Sequence, residues 1–144
     1  MTLIIGVGCF GAAAVAFAVL ALARYRVYRV YGISMLPALD NGQAVLVRKK
    51  TRGIAVGQLV VFDGDGLPYV DCESGSQCFP KEFSGTAVKR VVDIRVENGG
   101  IVFEVLGDNR AASIDSRNFG VISFERVIGV VVGRTGLHGA SSQK

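Results

Sequence analysis

An all-β protein, a small antiparallel sandwich or partly open barrel after one N-terminal transmembrane helix, is predicted by three features of the sequence. An uncharged apolar segment occupies residues 3–22, short runs rich in β-branched residues follow it, and glycine-containing turns separate those runs. Strands spaced in this way, with no sustained helical period beyond residue 23, belong to sheet architectures.

The first element is residues 1–23, read as an anchor. About 20 residues rising 1.5 Å each cover the ~30 Å hydrocarbon core of a bilayer. The apolar run is longer than the ~7–15 residues of a cleaved secretory signal, and no basic residue precedes it. A chain of 144 residues is too short to surround such a helix on all sides. Residues 24–31 follow, with Arg24, Arg26 and Arg29 interleaved with Tyr25, Tyr28 and Tyr31. Arginine and tyrosine both suit the headgroup boundary, so this stretch reads as a membrane-surface collar and the lipid bilayer as a partner. Taken alone, the positive-inside rule would keep these arginines cytoplasmic. The net charge of +4 is not gathered into a basic tract, which argues against nucleic acid as a partner.

Residues 32–133 form one β-rich domain in this reading. Strands are expected at 44–47, 58–62, 87–92, 101–106 and 127–132, where valine, isoleucine and leucine dominate. Asp40-Asn41-Gly42, Asp63-Gly64-Asp65-Gly66 and Asn98-Gly99-Gly100 supply the turns. Asn-Gly favours positive φ, so a tight hairpin is expected from about 88–97 to 101–106. Residues 71–86, with Gly75, Pro80 and Gly85, are expected to make an irregular excursion. It carries Cys72 and Cys78, separated by ESGSQ, which suit a disulfide, two free thiols or half of a metal site. No further cysteine and no nearby histidine completes a ligand set, so no metal is expected. Residues 134–144 read as a flexible tail.

Three motifs carry the chemistry. They are Gly32-Ile33-Ser34-Met35-Leu36-Pro37-Ala38-Leu39, then Ala87-Val88-Lys89-Arg90-Val91-Val92, then Gly107-Asp108-Asn109-Arg110-Ala111-Ala112-Ser113-Ile114-Asp115-Ser116-Arg117-Asn118-Phe119-Gly120. A serine hydroxyl needs a base within hydrogen-bond reach to act as a nucleophile. The sole histidine, His138, lies in the tail, whereas Lys89 lies on a predicted strand among valines. An unperturbed lysine is neutral in only roughly one molecule in 2,500 at pH 7. Lowering its pKa to ~7–8 requires the ammonium to be disfavoured by about 3–5 kcal/mol, which burial can supply.

In this order the three motifs resemble those of the type I signal peptidases, membrane-anchored serine proteases with a Ser/Lys dyad. The resemblance implies a compact all-β catalytic domain that cleaves signal peptides from exported preproteins, with no cofactor. It implies a single-pass protein of the plasma membrane whose catalytic domain is extracytoplasmic, the side opposite to that favoured by the arginine collar. Ser34 is then the nucleophile that forms an acyl-enzyme, Lys89 the neutral general base and Ser113 the residue that orients the lysine amine. The backbone at Ser34 and Gly32 contributes to the oxyanion site, Gly32 standing where some members carry a second serine. Asp108, Asn109, Arg110, Asp115 and Arg117 read as structural, with Asp108 expected to meet Arg90 and Asp115 to meet Arg117.

The sequence also departs from the family pattern. Gln43 and Gln58 stand where aspartate is frequent, Asp93-Ile94-Arg95-Val96-Glu97 replaces the usual Gly-x-Pro-Gly-Asp, and only seventeen residues separate Lys89 from Gly107. The large second domain of many members is therefore absent. Its absence motivates an alternative, a dedicated maturation protease for one secreted peptide. A catalytically silent, membrane-tethered module that binds peptides is the alternative from another class.

Overall fold

The structure, a computed structural model, describes residues 15–16, 19–20, 22–49, 53–73 and 77–135. Nine strands account for most of them: β1 (Tyr25–Arg29), β2 (Ala44–Lys49), β3 (Leu59–Asp63), β4 (Leu67–Glu73), β5 (Gln77–Phe83), β6 (Thr86–Glu97), β7 (Gly100–Leu106), β8 (Ile122–Ser123) and β9 (Val127–Arg134). A four-residue helix, α1 (Ser116–Phe119), and two short 3₁₀ turns complete the fold. Seven strands form one antiparallel sheet in the order β1-β2-β9-β3-β6-β7-β8, and β4 and β5 form a separate antiparallel hairpin. The all-β expectation thus takes the form of one open sheet with an attached hairpin.

Most of the apolar segment 3–22 lies outside the described residues. No helix among the described residues is long and apolar enough to cross a membrane. His138 and most of the expected tail also lie outside them, although β9 continues through Gly133 to Arg134, further than the apolar run suggested.

Strand positions follow from side-chain alternation. In β2, Val45 and Val47 are fully buried while Leu46 between them is exposed, the period-two pattern of a strand with one covered face. β3 is buried without alternation because both of its faces are covered. Val60 and Phe62 join a core with Leu67, Ala87, Val91, Phe103, Val105, Ile122, Val127 and Val130, whereas Val61 joins a second core with Val30, Met35, Leu39, Val45 and Val47. Each such fully buried valine or phenylalanine contributes about 1.5–3 kcal/mol relative to exposure.

β6 and β7 form the expected hairpin. Their register closes at Glu97↔Gly100, leaving Asn98 and Gly99 as the two loop residues, with φ of 50° and 79°. Positive φ at both positions matches the right-handed twist of the flanking strands and explains the Asn-Gly pair.

One expectation needs correction. Residues 71–86 are not an irregular excursion: Leu67–Glu73 and Gln77–Phe83 pair in continuous register, with Cys72 directly opposite Cys78. Pro68 and Pro80 are accommodated because this two-stranded ribbon has free edges. The Arg/Tyr collar contains a strand, β1, which pairs with β2 from Tyr25↔Arg48 to Arg29↔Ala44 and forms one edge of the sheet.

The long strand β6 serves two neighbours in succession. Thr86–Arg90 pair with β3, and Arg90–Glu97 pair with β7 on the other side. On the β7 side, therefore, Thr86–Lys89 have no strand partner among the described residues. This open edge lies beside the loop that carries Ser34.

Candidate active site

Ser34 lies in the loop between β1 and β2. That loop starts at Gly32, whose φ of 94° needs glycine and whose N–H donates to Asn41 Oδ1 at 2.9 Å. Met35 and Leu39 anchor the loop, each 1% exposed within the second core. Two bonds from Asn109 clamp it from across the fold: the Asn109 N–H donates to the Ser34 carbonyl at 2.9 Å, and its Nδ2 to the Ile33 carbonyl at 3.2 Å. The Ser34 N–H has no acceptor among the described residues. Of the two backbone donors expected at the oxyanion, then, that of Ser34 is unoccupied and that of Gly32 is already engaged.

Lys89 reaches this loop from β6. Its backbone pairs with Val60 at the centre of the sheet, and the residue is 4% exposed. Nζ lies 2.8 Å from Ser34 Oγ. Burial lowers the Lys89 pKa to about 8; the Asp115 carboxylate acts to raise it, and the Arg117 guanidinium to lower it. Roughly a tenth of the molecules then carry a neutral amine at pH 7, about two hundred times the share for a lysine in water.

The third motif builds the wall behind the pair. Gly107 is where the chain passes closest: a Cβ placed there would overlap the Ser113 side chain and lie 2.7 Å from the Ser34 carbonyl oxygen. The Gly107 N–H donates to Asp115 Oδ2 at 3.0 Å. Asp115 is completely buried and caps α1, with the Asn118 side chain completing a reciprocal capping box. Arg117 grips its carboxylate through Nε and Nη2, both at 2.8 Å. Desolvation alone would raise the Asp115 pKa, but bonds from Arg117 and Gly107, with a contribution from Ser113, outweigh it and hold the pKa at about 2.

The Ser113 hydroxyl is buried beside the Asp115 carboxylate, whose charge it helps to hold, and makes no hydrogen bond to Lys89. Arg90 turns away from the dyad. It holds Asp108 through Nε at 2.7 Å and Nη2 at 2.6 Å, and the Gly57 carbonyl through Nη1 at 2.7 Å. This fork ties β6 to the start of the third motif. The Arg110 carbonyl accepts from Arg117 Nη2 at 2.9 Å, which closes the loop on itself.

Among the described residues, no group of three His, Cys, Asp or Glu side chains gathers as metal ligands would. The clamping role of Asn109 and the close approach at Gly107 arise from tertiary contact, and the local sequence marks them only by a glycine that opens a motif dense in hydrogen-bonding residues.

Replacement of Asp115 is a direct test of this wall. Asp115→Ala is expected to cost about 3 kcal/mol, because it leaves the Gly107 N–H and one face of Arg117 unpaired around a buried void. The folded pKa lies below the unfolded value, so this contribution is complete above about pH 5 and is lost as the pH falls towards 2. Urea titrations of both proteins at pH 7 and pH 3 should show the gap narrowing at the lower pH.

A buried lysine amine beside a serine hydroxyl is an arrangement that can act as base and nucleophile without histidine, and sequence comparison places the chain in a family. The model of the family described as signal peptidase, peptidase S26, matches residues 4–95 and 95–135. The chain belongs to this family, which is one of serine peptidases. No curated protein matches it.

Proposed function

We propose that the protein is a signal peptidase in which Ser34 is the nucleophile and neutral Lys89 the general base, acting on exported preproteins. The 2.8 Å approach of a buried lysine amine to a serine hydroxyl carries this reading. When neutral, Lys89 Nζ accepts the Ser34 proton as Oγ attacks the scissile carbonyl. The oxyanion that develops receives the unoccupied Ser34 N–H. The ammonium formed on Lys89 returns its proton to the leaving amine, which departs with the mature chain, and the signal peptide remains as an ester on Ser34. Water, deprotonated by Lys89, then hydrolyses the ester and restores both groups. The Ser113 oxygen, by accepting an N–H from Nζ, would turn the amine lone pair towards Ser34 during these transfers.

The open edge of Thr86–Lys89 suits an extended substrate, since a strand added there places a peptide carbonyl next to Ser34. We assign the membrane as the setting, with residues 1–23 as the anchor and the domain extracytoplasmic. The exposed Leu22, Tyr25, Val27 and Leu46, grouped where that segment meets the sheet, support this assignment. An oxidising compartment would also permit a bond between the opposed Cys72 and Cys78.

Detergent-solubilised protein mixed with an exported precursor is expected to release its signal peptide. Ser34→Ala is expected to lower kcat/KM by about 10⁴-fold or more without loss of fold. A precursor left intact by the wild type, under conditions where another signal peptidase cuts it, would refute the proposal. Cleavage of one precursor and refusal of all others would instead favour a dedicated maturation protease.

A further inference from the structure

The unoccupied N–H of Ser34 belongs to a peptide unit whose other end is the Ile33 carbonyl. Such a unit is planar and trans, so its N–H and C=O point in opposite directions and turn together. Whatever holds the Ile33 oxygen therefore aims the Ser34 N–H.

The loop itself does little to fix this plane. Ile33 is 51% exposed, so its side chain supplies scant packing. Gly32, with its φ of 94°, precedes it, and the first side chain anchored in a core is that of Met35. Within the loop the Ile33 oxygen accepts one bond, from the Leu36 N–H at 3.2 Å. The second comes from across the fold, from Asn109 Nδ2 at 3.2 Å.

Asn109 is well placed to act as a fixed point. Its N–H donates to the Ser34 carbonyl at 2.9 Å, and its own carbonyl accepts from the Ala112 N–H at 3.1 Å. The preceding residue, Asp108, is gripped by two bonds from Arg90, the neighbour of Lys89 on β6. The donor that reaches the Ile33 oxygen is thus carried by a frame tied to the lysine strand. The bond also draws electron density towards that oxygen and, through amide resonance, away from the Ser34 nitrogen, which makes the Ser34 N–H a stronger donor.

We propose that Asn109 is a positioning residue for the oxyanion site, its side chain aiming and polarising the Ser34 N–H through the Ile33–Ser34 peptide plane. The inference rests on the peptidase reading above. It gives a catalytic consequence to a bond that involves neither the Ser34 hydroxyl nor the Lys89 amine.

The test compares the wild type with Asn109→Ala, which removes the side chain, and with Asn109→Asp, which keeps its size but has no side-chain N–H when ionised. Both keep the main-chain bond to Ser34, and the aspartate variant serves if alanine leaves the protein unfolded. In each, kcat on a precursor peptide is expected to fall roughly 10- to 100-fold, less than the ~10²–10³ that loss of a whole oxyanion donor costs. KM should stay within about twofold, because the affected contact is made in the transition state. Affinity for a peptide aldehyde, whose hemiacetal oxygen takes the oxyanion position, should fall by the same factor as kcat. The midpoint of the acid limb of kcat/KM should not move, since the Ser34–Lys89 contact is untouched. In the full-length protein in micelles, the Ser34 amide nitrogen resonance should move to lower shift as the Ile33 carbonyl loses a donor. Folded variants with wild-type kcat would overturn the inference and leave the peptidase reading standing. So would a loss of kcat with a displaced pH midpoint or unchanged aldehyde affinity, the mark of a residue that merely supports the loop. Absence of any cleavage by wild type would overturn the peptidase reading, and this inference with it.

Discussion

Lys89→Met is expected to abolish cleavage and to change how stability depends on pH. Methionine has a similar length and no charge, so the strand can keep its packing while the base is lost; kcat/KM should fall by about 10⁴-fold. The stability effect follows from linkage. The folded pKa of Lys89, about 8, lies below the ~10.4 of an unfolded chain, so between these values the unfolded protein holds a proton that the folded protein has released. Wild-type stability therefore rises with pH across this window, by about 3 kcal/mol relative to the methionine variant. Any advantage of methionine at pH 7 should shrink by that amount at pH 11. Denaturant titrations at pH 7, 9 and 11 measure it, and a gap that stays constant with pH would show that Lys89 is not desolvated. The same pKa predicts that wild-type kcat/KM falls tenfold per pH unit well below about 8, as the amine becomes protonated.

Gly107→Ala is expected to damage both stability and activity, although it adds a single methyl group. That methyl would overlap Ser113 and press on the Ser34 carbonyl oxygen, and neither neighbour is free to yield. The Ser113 hydroxyl is itself buried, and the Ser34 carbonyl is tied to the Asn109 N–H. Overpacking of this kind costs about 1–3 kcal/mol. A shift of the nucleophile by a fraction of an ångström should also lower kcat by about 10²-fold. Steady-state kinetics beside a thermal melt separate the two effects; wild-type kcat in the alanine variant would mean that the wall behind Ser34 is compliant.

The legible parts of the fold are those where burial dictates residue type. β2, β3, β6, β7 and β9 bury valine-rich faces in one core or the other, so their runs stand out. The Asn98-Gly99 turn stands out because few residue pairs tolerate positive φ twice. β1, β4 and β5 are hidden for the opposite reason. Tyr25, Val27, Val70 and Phe79 are all exposed, and Pro68 and Pro80 read as breakers until the ribbon's free edges are known. At the site, Ser34 and Lys89 could be named from their motifs, but not their contact, which depends on the β3–β6 register and on the path of a loop 55 residues away. Arg90 and Asp108 meet as their complementary charges suggested, as do Asp115 and Arg117. The Asn109 clamp arises from tertiary approach, which no local pattern encodes.

The place of β9 has a consequence for how the enzyme comes into being. Last in sequence of the strands among the described residues, it lies between β2 and β3, which do not pair with each other. The portion bearing the Ser34 loop and the portion bearing Lys89 are thus joined within the sheet by a strand that leaves the ribosome after both. Such a distant closure is slow compared with local pairing. The two halves therefore cannot be knitted into one sheet until β9 has emerged, and a nascent chain carries Ser34 and Lys89 well before it has the frame that unites them.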